Sequence, residues 1–350
     1  MSFGVIDRRL LVVVGSGGVG KTTLAAALGL ESARRGANTL VMTFDPSLRL
    51  KDALGVGEAA RERPVRVEAG VAGRLDVALL DAKRTFDHLI ESYAPDDAAA
   101  ERIQGNRFYR DLSGSLAGIL EYMAVERLFE VSRDGSYDRI ILDTPPTRQA
   151  LDFLEAPDRM VQFLDSGAIR LALNPWWERG GGIRRAPMRL AAKGVEGLLD
   201  RIIGLGLVRD ILEFFRAFGP LYGGFRERAA EVRVLLRDPQ TLFLLVSGPG
   251  PDRIPDTLFF ARKLLEAGHR LGPLVVNQVH PRVGPLPAAS TSEGLALFRF
   301  LGERDHRGLA ELRRLLGSVG RMAAMPLEPA PPTDLTSLGA LGRALLDQLA

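Results

Sequence analysis

The residues with the clearest chemistry lie in one glycine-rich stretch near the start of the chain. Its pattern is G-x-x-x-x-G-K-[ST], and its residues are Gly15, Ser16, Gly17, Gly18, Val19, Gly20, Lys21 and Thr22. Glycines here let backbone N–H groups point at nucleotide phosphates, and a helix beginning near Lys21 adds its positive end. In such a loop we expect Lys21 to reach the β- and γ-phosphates, Thr22 to bind Mg²⁺ and Thr23 to reach the α-phosphate. The alternative is a plain glycine-rich turn between a strand and a helix.

Two aspartates, Asp45 and Asp143, stand at the ends of short apolar segments that we interpret as buried strands. Asp143 ends one of them, and in enzymes with such a loop this carboxylate holds Mg²⁺, often through water. The alternative for Asp143 is a cap on the next turn. From spacing alone, Asp45 either orients or deprotonates the attacking water or is a turn residue before Pro46. Asp52 is either a second neighbour of Mg²⁺ or the N-cap of a helix.

The elements that must position these residues are short and apolar. Seven runs read as strands without apolar/polar alternation: 10–14, 39–44, 75–80, 139–142, 242–246, 274–276 and 321–325. Strands that are apolar on both faces indicate a parallel sheet covered by helices on each side. Helical patterns, such as 22–35 and 257–267, lie between them. This alternation predicts an α/β fold with a doubly wound, mostly parallel sheet.

Two stretches are too long to be simple crossovers between strands. They span about 82–136 and 153–237 and have mostly helical patterns. We predict that they form a helical subdomain inserted into the α/β core, so that residues 1–350 make a single P-loop ATPase domain.

Composition excludes several classes of function. The net charge of +3, from 46 basic and 43 acidic residues, is too small to predict nucleic-acid binding. The chain has no cysteine, which excludes disulfides, zinc–thiolate sites and thiol chemistry. We find neither a signal-peptide core nor an uncharged run of the ~18 residues that a membrane span needs. We therefore expect a cytoplasmic protein without a transmembrane segment.

Four segments together resemble the deviant Walker ATPases, and most closely the arsenical-pump ATPases and the ATPases that target tail-anchored membrane proteins. The segments are 15–23, 45–54, 143–151 and Asn277-Gln278. Residues 45–54 resemble the first switch of that family, D-P-A-H-S-L-S-D-A-F, and 143–151 resemble its second switch, D-T-A-P-T-G-H-T-L. The resemblance implies ATP hydrolysis with Mg²⁺ by a homodimer or a heterodimer with a paralogue. It also implies that Asp45 activates water.

The resemblance extends to the base pocket. In this family the residue matching Asn277 hydrogen-bonds adenine, and a side-chain amide offers the donor and the acceptor that the N6 and N7 edge requires. Gln278 adjoins it, and Pro326 lies where the family closes the pocket over the base. We find no N-K-x-D motif of the kind that reads guanine. The alternative for Asn277 is a turn residue after a strand.

The chain departs from the family pattern in three respects. Ser16 replaces the signature lysine that contacts phosphate across the dimer, and we hypothesise that Arg49 or Arg148 supplies the missing positive charge. Leu48 and Gln149 replace the switch histidines. The family's cysteines are absent, so we predict neither arsenite transport nor a zinc-bridged dimer.

Residues 186–225 are the candidate surface for a hydrophobic helical client. Between 198 and 218 apolar residues recur at helical spacing. They form either an amphipathic helix packed on the core or a groove for a client helix.

Two other functions compete with that of a targeting ATPase. One is a regulatory ATPase resembling septum-site and chromosome-partition proteins, and the other is a weakly active nucleotide-binding scaffold, prompted by Ser16.

Overall fold

The structure is a computed structural model that divides the chain into two compact units. It describes residues 4–44, 54–61, 63–107, 109–110, 119–165, 210, 214, 222–284, 293–316 and 321–349. The α/β unit comprises Met1–Leu80, Glu130–Leu151 and Leu235–Ala350, and the helical unit comprises Asp81–Phe129 and Asp152–Val234. That the helical unit is an insertion within a single ATPase domain stays a prediction.

The α/β unit is built on an eight-stranded sheet with the order β3-β4-β2-β5-β1-β6-β7-β8. The strands are β1 Leu10–Gly15, β2 Asn38–Thr43, β3 Val65–Arg66, β4 Arg74–Leu79, β5 Arg139–Asp143, β6 Thr241–Ser247, β7 Leu271–Val279 and β8 Met322–Pro326. Every neighbouring pair is parallel except β3 with β4. The predicted mostly parallel α/β fold is therefore confirmed. The short edge strand β3 was not predicted.

Burial explains why these runs form a parallel sheet. Every residue of β1 and of β6 is buried, so both faces of these strands are covered. Helix α1 (Lys21–Arg34) covers part of the sheet and packs in one core cluster with a later helix, Leu335–Leu349.

The order of strands reverses at β1, since β2 and β5 lie on one side of it and β6 on the other. In open α/β sheets, ligands bind beside the carboxyl ends of the strands at such a point.

The remaining helices are numbered in chain order. They are α2 Ala82–Tyr93, α3 Asp97–Gly105, α4 Ile119–Asp134, α5 Thr147–Leu164, α6 Tyr222–Arg237, α7 Ile254–Glu266, α8 Glu293–Leu316 and α9 Leu335–Leu349. Among the described helices, none combines the length and the apolar character that crossing a membrane requires.

The helical unit has its own apolar core and a buried ion pair. Phe86, Tyr109 and Phe225 belong to this core. Arg228 pairs with Glu126, whose side chain is 1% exposed, and the Tyr122 hydroxyl donates to the same carboxylate at 2.9 Å. The buried charge of Glu126 is thus both paired and hydrogen-bonded, as a carboxylate in an apolar core requires.

Candidate nucleotide site

Two glycines of the 15–22 loop lie so close to neighbouring strands that a Cβ would force a neighbouring group to shift. Gly15 ends β1 with φ of 151°, and a Cβ there would lie 2.0 Å from the carbonyl oxygen of Val246 on β6. Gly20 precedes α1 with φ of 86°, and a Cβ there would lie 2.5 Å from Nδ2 of Asn277. The loop is therefore held close to the two strands on one side of β1. The spacing of the sequence motif reflects these contacts.

Lys21 and the start of α1 have the character of an anion site. The Lys21 side chain is largely buried, and its Nζ donates to the carbonyl oxygen of Ser16 at 3.0 Å, across the loop. No side chain caps the N-terminus of α1, and its first turn contains no acidic residue. Backbone N–H groups at an uncapped helix N-terminus attract negative charge. A fixed ammonium beside them suits a nucleotide phosphate.

Asp143 lies at the centre of the polar contacts beside the loop. It ends β5, is almost fully buried, and pairs in register with Val13 of β1 and Thr43 of β2. Its Oδ2 accepts hydrogen bonds from the hydroxyl of Thr22, at 2.6 Å, and from that of Thr43, at 2.8 Å. The structure thus brings together the predicted residues Thr22 and Asp143.

This set of donors fits Mg²⁺ that is bound together with a nucleotide. Among the described residues, no group of three or more His, Cys, Asp or Glu side chains could hold a metal ion. Mg²⁺ differs from most metals in binding through one or two carboxylates, waters and substrate phosphates instead of an all-protein cage. One carboxylate, Asp143, next to one hydroxyl, Thr22, is the protein share of such a site.

The segment after Asp143 is hydrogen-bonded to β1 and lies beside the loop. The backbone N–H and the hydroxyl of Thr144 both donate to the carbonyl oxygen of Val13, at 3.2 and 2.9 Å. Pro146 lies in van der Waals range of the position that a Cβ on Gly17 would take. The start of the predicted second switch therefore lies beside the phosphate loop.

Asn277, Gln278 and Pro326 lie at the same edge of the sheet. The buried Asn277 side chain donates from Nδ2 to the carbonyl oxygen of Val19 at 2.9 Å, so it anchors the loop to β7. Gln278 is exposed and has φ of 63°, where the pairing of β7 with β8 shifts register. Pro326 ends β8 opposite Val279. The sequence did not predict the contact of Asn277 with the loop, and its role toward adenine stays a prediction.

Several predicted residues lie outside the described residues. They are Asp45, Asp52, Leu48 and Arg49, the side chains of Arg148 and Gln149, and most of the client segment 186–225. The sequence analysis did not predict that Thr43 belongs to the site, although this polar residue lies near the end of the predicted strand 39–44 and donates to Asp143. Ser16 lies in the loop and Thr23 in the first turn of α1, and their contacts with phosphate stay predictions.

We expect Gly20→Ala to weaken ATP binding by about 10-fold or more and to lower the melting temperature. Left-handed backbone costs a non-glycine residue ~1–2 kcal/mol, and the new methyl group would displace Asn277 from the loop. Gly36→Ala is a matched control, because Gly36 also has positive φ, at 95°, but its Cβ would meet nothing within 4 Å. Calorimetric titration and thermal melting measure both effects. Equal ATP affinities of the two variants would contradict the proposed contact.

The chain is similar to a known family and to several named proteins. Residues 8–178 match the family described as Anion-transporting ATPase, and this match contains the loop, Asp45 and Asp143. An uncharacterized protein of Streptomyces coelicolor is 29% identical over 331 residues, which are 93% of this chain and 77% of the relative.

Two relatives whose names state an activity match shorter stretches. An arsenical pump-driving ATPase of Halobacterium salinarum is 30% identical over 183 residues, 49% of this chain and 27% of that protein. ATPase GET3 of Chaetomium globosum is 30% identical over 158 residues, 44% of this chain and 45% of that protein. The matches thus cover less than half of the length of either named ATPase.

Proposed function

Since residues 8–178 of this chain match the anion-transporting ATPase family, we propose that the chain binds ATP with Mg²⁺ at the 15–22 loop and hydrolyses it. The observation that carries the proposal is the contact of the Thr22 hydroxyl with Asp143 Oδ2, at 2.6 Å, at the start of α1. It joins the last residue of the loop motif to a carboxylate 121 positions away. A plain glycine-rich turn requires no such pairing.

Each described residue has a distinct role in this proposal. The α1 N-terminus and Lys21 bind the β- and γ-phosphates, and the Lys21 ammonium stabilises the charge that develops during phosphoryl transfer. Thr22 and Asp143 hold Mg²⁺, which when bound neutralises phosphate charge. Asn277 keeps the loop in place through Val19. Gln278 and Pro326 border the base pocket.

Asp45 is the proposed group that orients and deprotonates the attacking water. It follows β2 by two residues, and the last residue of β2, Thr43, donates to Asp143. We expect Asp45→Asn to lower steady-state phosphate release about 100-fold or more, because an amide cannot accept the proton of water. ATP affinity by calorimetry should change less than about 3-fold, since the phosphate contacts remain.

Asp347→Asn, an exposed aspartate on α9, is the control for Asp45→Asn. If wild-type protein and Asp45→Asn release phosphate equally slowly while both bind ATP, the chain is a nucleotide-binding scaffold. That result would contradict the proposed ATPase.

We further propose that the ATPase acts in the cytoplasm as a dimer whose nucleotide state opens and closes a client surface within 186–225. The resemblance to the ATPases that target tail-anchored proteins supports this part of the proposal. Ser16 cannot supply charge across a dimer, so Arg49 or Arg148 takes that role. The proposed client is an apolar helix, and the partner subunit is a second copy or a paralogue.

A further inference from the structure

Helix α8 is buried along one face only. Gly302, Asp305, Leu309 and Leu312 are buried at helical spacing, so this face packs on the α/β unit. Phe298 lies four residues before Gly302 on the same side of the helix and is 47% exposed, and its ring meets that of His280 edge-on, with centroids 6.2 Å apart. The first turns of α8 are thereby placed beside the end of β7.

The end of β7 is fixed by a buried carboxylate. Asp305 Oδ2 accepts from the backbone N–H of His280 and lies 2.7 Å from its Nδ1. Burial alone would raise the pKa of Asp305, but hydrogen bonds from His280 and the Arg304 guanidinium outweigh it and lower the pKa. The charged carboxylate holds His280 only three residues beyond Asn277, which contacts the phosphate loop. Helix α8 is thus connected to the nucleotide site through β7.

The other face of α8 carries a four-residue stripe of Glu293, Leu297, Phe300 and Arg304. Successive members are four, three and four positions apart, which is the spacing of a seam between two paired helices. Leu297 and Phe300 are each 56% exposed. Large apolar side chains on the outward face of a helix are typical of a contact surface.

The stripe is complementary to itself when two copies run antiparallel. Leu297 of one copy then faces Phe300 of the other, and Glu293 of one copy faces Arg304 of the other. The two-fold axis between the copies repeats each of these contacts once. The Arg304 guanidinium uses Nε and Nη2 for Asp305, and its five N–H groups leave donors for a second carboxylate. A parallel pair would instead place Glu293 beside Glu293 and Arg304 beside Arg304.

We propose that residues 293–304 of α8 form a two-fold interface with the same residues of a second copy of this chain. An isologous contact of this kind requires a surface that matches itself, which the charge order of the stripe provides. A surface that binds an apolar client does not need an acidic residue at one end and a basic residue at the other. The inference rests on the proposed dimeric ATPase and identifies where its subunits meet.

Sedimentation velocity of the full chain tests the interface. We expect Leu297→Asp to raise the dimer dissociation constant about 100-fold or more, because a buried apolar anchor becomes an unpaired charge. Leu265→Asp is the control, since Leu265 on α7 is similarly exposed, at 59%, and lies outside the stripe. Calorimetric ATP binding should be unchanged in both variants. Loss of ATP binding in wild type, with the dimer retained, would count against the proposed ATPase but not against the interface.

Cysteine cross-linking tests the antiparallel order, because the natural chain has no cysteine. The double variant Leu297→Cys/Phe300→Cys should form a covalent dimer under mild oxidation, and Leu265→Cys should not. Each single variant should cross-link much less, because its cysteine faces an apolar residue of the other copy. A monomeric wild-type chain at about 100 μM, or equally efficient cross-linking of the single variants, would overturn the proposal.

Discussion

Replacing Lys21 with Ala is expected to lower the rate of ATP hydrolysis about 100- to 1,000-fold, the loss typical of removing one charge-stabilising donor. The physical reason is the position of its ammonium, which is largely buried and held 3.0 Å from the Ser16 carbonyl oxygen, across the loop. No other described residue of the loop carries a positive charge, because Ser16 is neutral. Steady-state phosphate release with saturating Mg²⁺·ATP measures the effect.

Lys263→Ala is the control for Lys21→Ala. Lys263 is a partly exposed lysine of α7 that pairs with Glu266, so its loss removes one positive charge without touching the loop. ATP affinity of Lys21→Ala should also fall, because the ammonium contacts the phosphates in the ground state. A Lys21→Ala protein that hydrolyses ATP within 3-fold of the control would show that the loop is not the catalytic site.

The sequence predicted those strands of the sheet that are buried on both faces. Both faces of β1 and β6 are buried, so residues 10–14 and 242–246 are all apolar and each run is visible without any pairing information. The edge strand β3 has only two residues, of which Arg66 is exposed, and it has no such run. Its place is determined by antiparallel pairing with β4, which is a contact between distant segments.

The candidate site could be predicted from sequence only as separate pieces. A motif shows that Thr22 follows a phosphate loop and that Asp143 ends a strand, but their contact depends on the register of β1 with β5. Thr43 reaches the same carboxylate because β2 is the other neighbour of β5. The contact of Asn277 with Val19 likewise depends on which strands flank the loop. Local patterns contain none of this information.

Helix α8 illustrates a further limit of sequence patterns. Residues 295–300 contain four large apolar side chains, and the sequence alone does not say which of them lie on the side of the helix that packs on the α/β unit. In the structure all four are exposed, but Phe298 meets His280, whereas Leu297 and Phe300 lie about 100° and 160° around the helix from it. The direction of the buried face, marked by Asp305 and Leu309, separates the side of the helix that meets His280 from the proposed interface.

Asp143→Asn is expected to lower ATP hydrolysis about 100-fold or more and to weaken its dependence on Mg²⁺. An amide is close to isosteric and keeps one oxygen that can accept from Thr22 and Thr43, so the fold and the loop should persist. It lacks the negative charge that attracts the cation, and Mg²⁺ prefers carboxylate oxygen. A Mg²⁺ titration of phosphate release, with ATP affinity in EDTA measured alongside it, separates the two effects.

Asp138→Asn is the matched control, because Asp138 directly precedes β5, so that it lies at the opposite end of the same strand. The control should match wild type in both measurements. In Asp143→Asn, affinity for metal-free ATP should be unchanged or higher, since a negative charge beside the phosphates has been removed. An unchanged Mg²⁺ dependence, with a normal melting temperature, would show that Asp143 only anchors the hydroxyls of Thr22 and Thr43. The acidic metal ligand would then have to lie elsewhere in the chain.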